Sequence, residues 1–518
     1  MSSTDGAGSP AITLPGIPTS LDQSRVIAQM VRRASSVGFD AWWQRAQSVG
    51  FCAHPIQLVG TDQYGRERIV WARCNNRRAS VCPSCSDLYA RDTWQLVAAG
   101  TTGGRHNIPT EVAGRPQVFA TLTASSFGPV HSATGSICRG HRRVGEFRRC
   151  PHGNPLWCHA NHHHDDPMLG QPLCRQCYDY VGHVLFTWHL PELWRRFTIT
   201  LRRNLVRKLK TIGVYYKSVR VSFVKVVEMQ ARAIPHVHAL IRLDPTTGPG
   251  DHNDHGPAAT RGGGEHRHET SPAWESPITA TDLAALVQHA ARAVRLDVPD
   301  HTADNPSDTA TPLAVRFGDQ IDAQPLTAET LCFQAESRAT ASVGRLSPRR
   351  VAGYLAKYVT KSLADFGISA RRLSAEAITD LDVSEHIRTI LTTIRQLADH
   401  GTAGIGSWLH TLGYRGHITT KSRHYSTTMG KLRALRATWT RRQVEKHTAP
   451  QHDPAHAKLD GVIDGDQVWW EFDRAGHTTP GDRTLVISAA LRHINARRTG
   501  LTEARALHGS APPGAGDG

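Results

Sequence analysis

The hydrophobic residues of this chain repeat with two periods, which predict strands and helices. Four stretches rich in β-branched residues alternate in part with a period of two and are predicted as strands: residues 118–124, 219–229, 236–243 and, less regularly, 314–321. Five stretches have apolar residues at helical spacing: residues 178–187, 191–211, 279–296, 347–362 and 429–443. Their order predicts an α+β fold in which a central, mostly antiparallel sheet is covered by helices.

Polar, low-complexity segments separate these elements. The first twenty residues and residues 503–518 are rich in small and turn-forming residues, and both ends are expected to be disordered. Residues 245–277 are rich in Gly, His, Asp and Thr, and residues 297–311 are similar. These two internal segments are predicted to be surface loops that interrupt a folded domain.

The composition excludes a membrane-embedded protein. The chain has 518 residues, of which 39% are hydrophobic, and its mean hydropathy is −0.38. No apolar run is long enough to cross a bilayer, and no basic and then apolar leader is present, so we expect a cytoplasmic protein without a membrane partner. The 61 Lys and Arg exceed the 45 Asp and Glu, giving a formal net charge of +16. This excess indicates a polyanionic partner but does not distinguish DNA, RNA and acidic surfaces.

Eight of the ten cysteines fall into two clusters that each end in Cys-x2-Cys. In the cytoplasm thiols stay reduced, so such clusters indicate metal ligands rather than disulfides. The predicted ligands of two structural zinc ions are Cys52, Cys74, Cys82 and Cys85 in the first cluster and Cys150, Cys158, Cys174 and Cys177 in the second. Possible substitutes in the second site are Cys138, His141, His152 and His159. The alternative is inert buried thiols or a redox dithiol.

Two histidines separated by one residue lie in the third predicted strand. His236 and His238 point to the same face of a strand, because side chains alternate with a period of two. Two imidazoles on one face make part of a divalent metal site. Glu228 ends the preceding strand, and a hairpin would bring its carboxylate beside them. Taken alone, a His-x-His pattern is more often incidental.

The predicted helix at 347–362 carries two tyrosines, Tyr354 and Tyr358, which share a face because they are four residues apart. Each is followed three residues later by a lysine, Lys357 or Lys361. For this helix alone, an aromatic pair packed on a core with two solvated lysines is the more common arrangement.

Three motifs together resemble the HUH endonuclease superfamily, and in particular its rolling-circle replication initiators. They are VFATLTA at 118–124, PHVHALI at 235–241 and YLAKYVTK at 354–361, in that order. The paired tyrosines are similar to those of two-tyrosine initiators of single-stranded DNA phages and plasmids. The flanking sequences LCRQCYDYVGHVLFTWH, RFGDQID and LGYRGHITTKSRHYSTT resemble replication initiators of actinomycete integrative and conjugative plasmids. The resemblance covers about residues 45–500.

The resemblance implies a site-specific DNA endonuclease and strand transferase. Mg²⁺ or Mn²⁺ held by His236, His238 and Glu228 would polarise the scissile phosphate, and a tyrosine would form a 5′-phosphotyrosine and leave a 3′-OH primer. Tyr354 is the preferred first nucleophile, Tyr358 would perform a second transfer, and the lysines would stabilise developing charge. The nearest alternatives are a conjugative relaxase or a rolling-circle transposase. A non-catalytic zinc-finger regulator is the alternative from another class.

Residues 413–442 are dense in basic and hydroxyl residues suited to phosphate contacts, although a charged surface helix explains them equally well. The residues predicted to contact DNA are Arg349, Arg350, Arg415, Lys421 and Arg423. No Gly-x4-Gly-Lys-Ser/Thr motif occurs, so a host helicase as well as a polymerase is expected as a partner.

Five segments are therefore predicted along the chain. They are an N-terminal tail and helix (1–45), a four-cysteine zinc module (46–110), an HUH nicking domain (115–365) with a zinc insertion (138–180) and a flexible loop (245–277), a helical, basic DNA-binding region (366–502) and a disordered tail (503–518).

Overall fold

A computed structural model describes most of the chain between residues 22 and 509. The described residues are 22–61, 65, 67–133, 138, 149–163, 166–246, 274–299, 313–326, 348–359, 366, 368, 373–448 and 469–509. The first twenty residues and most of the predicted loops at 245–277 and 297–311 lie outside these ranges, as do His141 and Lys361. The disordered tail predicted at 503–518 is wrong for residues 503–509, because a helix continues to Gly509, and residues 510–518 lie outside the described part.

The described residues form an α+β fold, which confirms the predicted class. The strands are β1 (Ile56–Thr61), β2 (Glu67–Ala72), β3 (Gln117–Ala124), β4 (Val219–Met229), β5 (Pro235–Pro245), β6 (Arg295–Val298), β7 (Leu313–Leu326), β8 (Thr419–Lys421) and β9 (Trp469–Ala475). The helices are α1 (Gln23–Ala34), α2 (Phe39–Ser48), α3 (Pro83–Thr102), α4 (Tyr180–Thr211), α5 (Ala280–Ala293), α6 (Pro348–Tyr358), α7 (Glu385–Asp399), α8 (Met429–Thr448) and α9 (Pro480–Gly509). None of these helices combines the length and apolar character needed to cross a bilayer.

The chain divides into two compact units. One combines residues 1–92 with residues 429–518, and the other contains residues 93–428. These bounds run differently from the five predicted segments, because β9 pairs with β1 and because β8 completes the sheet of the other unit.

The unit formed by the two chain ends contains a three-stranded antiparallel sheet in the order β2-β1-β9. Arg33 in α1 forms a bidentate pair with Asp482 in α9, through Nε at 2.8 Å and Nη2 at 2.9 Å. Trp42, Phe51 and Val486 belong to its small apolar core. Residues far apart in sequence therefore complete each other's packing here.

The unit at 93–428 is built on a six-stranded sheet in the order β6-β7-β3-β5-β4-β8, with antiparallel pairing throughout. The main core covers one face of this sheet, where alternate residues such as Ala120 and Val237 pack with the apolar side chains of α4 and α5. The next residues along each strand, such as Thr121 and His238, point to the opposite face. The site predicted from the sequence lies on that opposite face.

Several predicted helix bounds are wrong: the helix predicted at 347–362 ends at Tyr358, the one predicted at 429–443 runs to Thr448, and two other differences have a clear cause. The sequence predicts separate helices at 178–187 and 191–211 because Pro191 starts helices readily, but α4 runs through it. Leu190 and Leu193, on either side of Pro191, are both fully buried, so packing keeps the helix continuous. The helix predicted at 279–296 ends at Ala293, because Leu296 pairs with Val315 in the sheet.

Candidate active site and metal centres

The hairpin of β4 and β5 places the three predicted catalytic metal ligands on one face of the sheet. In the antiparallel register Glu228 pairs with His236, and Val226 pairs with His238. Paired residues, and residues two apart, share a face of a sheet, so both imidazoles and the carboxylate lie on one face. The shared face predicted from the His-x-His spacing is observed.

His238 lies at the centre of this site and is only 2% exposed. Its Nε2 is 3.1 Å from Glu228 Oε2, and its Nδ1 is 3.2 Å from Thr121 Oγ1 on β3. The ring of Phe119 stacks on the imidazole, with centroids 5.9 Å apart. If Nδ1–H donates to Thr121, Nε2 presents a lone pair toward Glu228, which is the arrangement that orients a metal-binding histidine.

His236 offers a second nitrogen. Its Nδ1 lies 3.0 Å from the side-chain nitrogen of Gln230, and its Nε2 is buried without a hydrogen-bond partner among the described residues. Burial lowers the pKa of His236 to about 4, so the ring is neutral at ordinary pH. A neutral imidazole with an unpaired buried nitrogen, a second imidazole and a carboxylate suit a divalent cation. The donor types therefore suit a divalent cation. His236, His238 and Glu228 are nevertheless not among the groups of described residues whose ligand atoms all lie within 4.8 Å of one another.

The predicted tyrosine pair lies beside these groups on α6. The Tyr354 hydroxyl is 3.4 Å from His238 Nε2, and the rings of Tyr354 and Tyr358 have centroids 4.4 Å apart. Burial, together with Tyr358 and Glu228, raises the pKa of Tyr354 above its ordinary value, so the phenol is protonated. Tyr354 is still 39% exposed, which leaves it open to a large substrate.

The helix α6 is held by an apolar stripe and packs against β4. Val351, Leu355 and Val359 recur every four residues and are buried to 1% exposure or less. Lys357 lies on the other side of the helix, with Nζ 5.8 Å from the centre of the Tyr358 ring. The fourth predicted catalytic residue, Lys361, lies outside the described residues.

Two buried histidines support the turn that joins Glu228 to His236, and sequence reasoning missed both. His386 Nε2 is 3.2 Å from the carbonyl oxygen of Arg232, and His183 Nε2 is 3.3 Å from that of Ala233. The other ring nitrogen of each faces a phenol, Tyr180 for His386 at 3.1 Å and Tyr178 for His183 at 2.9 Å. Each neutral ring can donate to a carbonyl and accept from a phenol, so consecutive turn carbonyls are fixed.

Gly170 also packs against this turn. An added Cβ would lie 2.3 Å from the backbone carbon of Ala231, and the φ angle of Gly170 is +80°. Only glycine fits such an approach without strain. The segment before α4 therefore contacts the hairpin that carries the candidate metal ligands.

The predicted DNA-binding residues occupy different environments. The Arg415 guanidinium lies 4.4 Å above the Trp188 ring, and its Nε donates to the Trp188 carbonyl at 3.3 Å. Lys421 ends β8, and its Nζ donates to the carbonyls of Ser422 and Arg423 at 3.2 and 3.1 Å. The side chains of Arg350 and Arg423 are exposed, and that of Arg349 lies outside the described part. Their contact with DNA stays a prediction.

The first cysteine cluster comes together as the sequence groups it. The sulfurs of Cys52, Cys74, Cys82 and Cys85 all lie within 4.8 Å of one another. Cys52 Sγ is 3.8 Å from Cys82 Sγ and 3.6 Å from Cys85 Sγ. A tetrahedral site with Zn–S bonds of about 2.3 Å has sulfurs about 3.8 Å apart, so the spacing is compatible with zinc.

The second cluster is composed differently from the sequence grouping. Cys150, Cys174 and Cys177 lie with His152, one of the substitutes considered, whereas Cys158 lies with His131, Cys138 and His162. The backbone explains the difference. Residues 150–154 close a tight turn, in which the Cys150 amide donates to the Asn154 carbonyl at 2.9 Å, while the Cys138 amide donates to the carbonyl of Ala160 at 3.0 Å. The signal that could have found this set is the Cys158-x3-His162 spacing.

The fold and these groups define a class of protein: an α+β protein with clustered cysteine and histidine ligands and a tyrosine pair beside a histidine–carboxylate set. The family model of the pSAM2 replication initiator protein, RepSA, matches residues 38–491. A replication initiator protein from Streptomyces ambofaciens is 32% identical over 515 residues, covering 94% of this chain and 97% of that protein. The chain therefore belongs to the RepSA family of replication initiator proteins. No solved structure matches it.

Proposed function

We propose that this replication initiator starts rolling-circle replication of a plasmid or integrative element by nicking one strand of the origin through a tyrosine. The unit at 93–428 would be the HUH endonuclease core. The observation that carries the proposal is the 3.4 Å separation of the Tyr354 hydroxyl from His238 Nε2, in a site that also contains Glu228 and a second phenol. A nucleophile beside a candidate cation site is the arrangement that phosphodiester transfer needs.

In the proposed reaction, the Tyr354 oxygen forms a bond to the scissile phosphorus as the bond from phosphorus to the 3′-oxygen breaks. The phenol loses its proton and the departing oxygen gains one, so the products are a 5′-phosphotyrosine and a 3′-OH. A Mg²⁺ or Mn²⁺ ion held by His236, His238 and Glu228 would supply Lewis-acid polarisation of the phosphate. The ammonium of Lys357 would stabilise negative charge that develops beside the phenols.

The second tyrosine would complete the cycle. Tyr358 lies in ring contact with Tyr354, so it can attack a regenerated origin while Tyr354 still holds the first 5′ end. Because each transesterification exchanges one phosphodiester for another, no external energy source is required for rejoining. The proximity of Tyr354 to His238 Nε2 favours it as the first nucleophile.

The partners follow from the products. A replication initiator binds DNA, and the proposed site acts on it as a single strand. The 3′-OH would be extended by a host polymerase, and a host helicase would displace the strand, since the sequence has no P-loop motif. The zinc clusters would stabilise the modules around the nicking core.

The test is formation of a covalent protein–DNA adduct. The full chain is incubated with Mn²⁺ and overlapping single-stranded oligonucleotides that tile the non-coding DNA beside its gene, and adducts are resolved on denaturing gels. We expect wild type to form an adduct that Tyr354→Phe reduces strongly and Tyr354→Phe with Tyr358→Phe abolishes. Tyr215→Phe, which changes an exposed tyrosine before β4, is the matched control and should leave the adduct unchanged.

Two results would oppose the proposal. An adduct that persists in the double variant would place the nucleophile elsewhere. DNA binding without any adduct, unchanged in His236→Ala, would favour the non-catalytic regulator instead.

A further inference from the structure

Four side chains outside the candidate active site converge in the segment between β3 and α4. His131 Nδ1 is 3.1 Å from His162 Nε2, Cys158 Sγ is 3.4 Å from the same Nε2, and Cys138 Sγ is 3.7 Å from His131 Nδ1. One ligand atom from each of the four lies within 4.8 Å of all the others. Two nitrogens and two sulfurs therefore face a common point.

These separations match the edges of a zinc tetrahedron. With Zn–N bonds of about 2.0 Å and Zn–S bonds of about 2.3 Å, two nitrogens lie about 3.3 Å apart and a nitrogen and a sulfur about 3.5 Å apart. The observed nitrogen–nitrogen distance is 3.1 Å, and the nitrogen–sulfur distances are 3.4 and 3.7 Å. Hydrogen bonding alone would not require all four atoms to converge at this spacing.

The groups behind the ligands orient them as they do in zinc sites. His162 Nδ1 is 2.6 Å from Asp166 Oδ2, so Nδ1–H donates to the carboxylate and Nε2 carries the lone pair. The backbone N–H of Ser132 donates to Cys138 Sγ at 3.2 Å, which stabilises a thiolate there. His162 is only 7% exposed, so a ligand shell at this point would be shielded from water.

The neighbouring cluster is complete without these residues. His152 Nδ1 lies 3.2 Å from Cys177 Sγ and 3.9 Å from Cys174 Sγ, and the side-chain nitrogen of Asn154 donates to Cys174 Sγ at 3.1 Å. With Cys150 it provides three thiols and one imidazole. Cys158 is therefore not needed for a fourfold set there.

We propose that the segment between β3 and α4 binds two zinc ions, and that His131, Cys138, Cys158 and His162 hold the second, with Asp166 orienting His162. Binding converts two thiols to thiolates and releases their two protons, so the ion and its ligands carry no net charge. With the cluster of Cys52, the described part of the chain would then hold three zinc ions. The site would fasten the chain after β3 to the loop at residues 158–163, where a bound metal ion stabilises a segment that a small apolar core does not.

The zinc content of the full chain tests this proposal. Protein purified without chelators is measured by inductively coupled plasma mass spectrometry, and we expect three zinc ions per chain in wild type. Cys158→Ala and Cys150→Ala should each retain two, and the double variant should retain one, because the residues belong to different sites. His163→Ala, beside His162 but exposed, is the matched control and should retain three.

The ligand partition has an independent readout. After substitution by Co²⁺, the thiolate-to-cobalt charge-transfer band per ion grows with the number of thiolate ligands. The site that contains His131 has two thiolates, fewer than the other two sites, so His131→Ala should remove the weakest of the three bands. Asp166→Asn keeps all four ligands and is expected to retain three ions while weakening one of them by about 10–100-fold in chelator competition. Two ions in wild type, or a His131→Ala protein that retains its full zinc content, would overturn the proposal, whatever the outcome of the nicking assay.

Discussion

The His386 support of the hairpin turn leads to a prediction with a definite pH dependence. Replacing His386 by Phe removes the donor to the Arg232 carbonyl and the acceptor of the Tyr180 hydroxyl. A buried group left without its partner costs about 1–3 kcal/mol. We therefore expect His386→Phe to lower the free energy of unfolding of the unit at 93–428 by about that amount at pH 7.5.

The same histidine makes the wild type sensitive to acid. Burial lowers the pKa of His386 to about 4 in the folded chain, against about 6.5 when unfolded. Between these values the unfolded state binds more protons, so the stability is full above pH 6.5 and falls as the pH drops toward 4. The contribution lost amounts to about 2 kcal/mol at pH 5.0 and about 3 kcal/mol at pH 4. Phe does not titrate, so the stability of the variant does not fall in this way. The difference in free energy of unfolding between wild type and His386→Phe should therefore be about 2 kcal/mol smaller at pH 5.0 than at pH 7.5.

The assay is urea unfolding at pH 7.5 and 5.0, in which hydrogen exchange of peptides from β4 and β5 is the readout. These peptides report one unit alone, which matters because a chain with two units need not unfold in a single step. His400→Phe, at the exposed C-terminal end of the same helix, is the matched control and should show no pH-dependent difference. If His386→Phe loses the same free energy of unfolding at both pH values, the reasoning that His386 is a buried, neutral ring is refuted.

Two further predictions use matched pairs. Gly170→Ala should lower stability and loosen the hairpin turn in hydrogen exchange, because its Cβ would lie 2.3 Å from the turn backbone, whereas Gly153→Ala has the same kind of positive φ, +78°, with open space around it. If both variants lose the same stability, the loss comes from the positive φ angle and not from contact of the added Cβ with the turn. Asp244→Ala should cost about 3–5 kcal/mol in urea unfolding, because it leaves the buried Arg242 charge unpaired. Asp297 forms the matching exposed ion pair with Arg295, so Asp297→Ala should lower the free energy of unfolding by less than about 1 kcal/mol. Equal losses in Asp244→Ala and Asp297→Ala would contradict the argument from burial.

The strands that carry the candidate site could be predicted from sequence. Alternation of β-branched residues places β4 at 219–229 with its observed bounds, and the His-x-His spacing indicates the shared face. The hairpin then brings Glu228 to His236 because the turn between them is short. Local pattern is sufficient here, since neighbouring strands in the chain are neighbours in the sheet.

Features that depend on distant contacts could not be predicted. Pro191 suggests a helix start, yet burial of the leucines on both sides keeps α4 continuous. The spacing of the cysteines along the chain groups Cys158 with Cys150, but a tight turn at residues 150–154 directs the two residues to different clusters. His183 and His386 give no signal, because each acts by facing a backbone carbonyl of the turn, and a linear pattern does not record such pairing.

The arrangement of the two units also determines the order in which a ribosome can complete them. Residues 93–428 form a contiguous stretch, so this unit has all its strands before the C-terminal elements are translated. The other unit must wait, because β1 keeps an unpaired edge until β9 emerges, and Arg33 meets Asp482 only when α9 is made. Ile487, also in α9, packs with Cys52 and Cys82, so the apolar surroundings of that cluster form last. A nascent chain thus exposes an open strand edge during most of its synthesis, which is a site for unwanted pairing until β9 has been made.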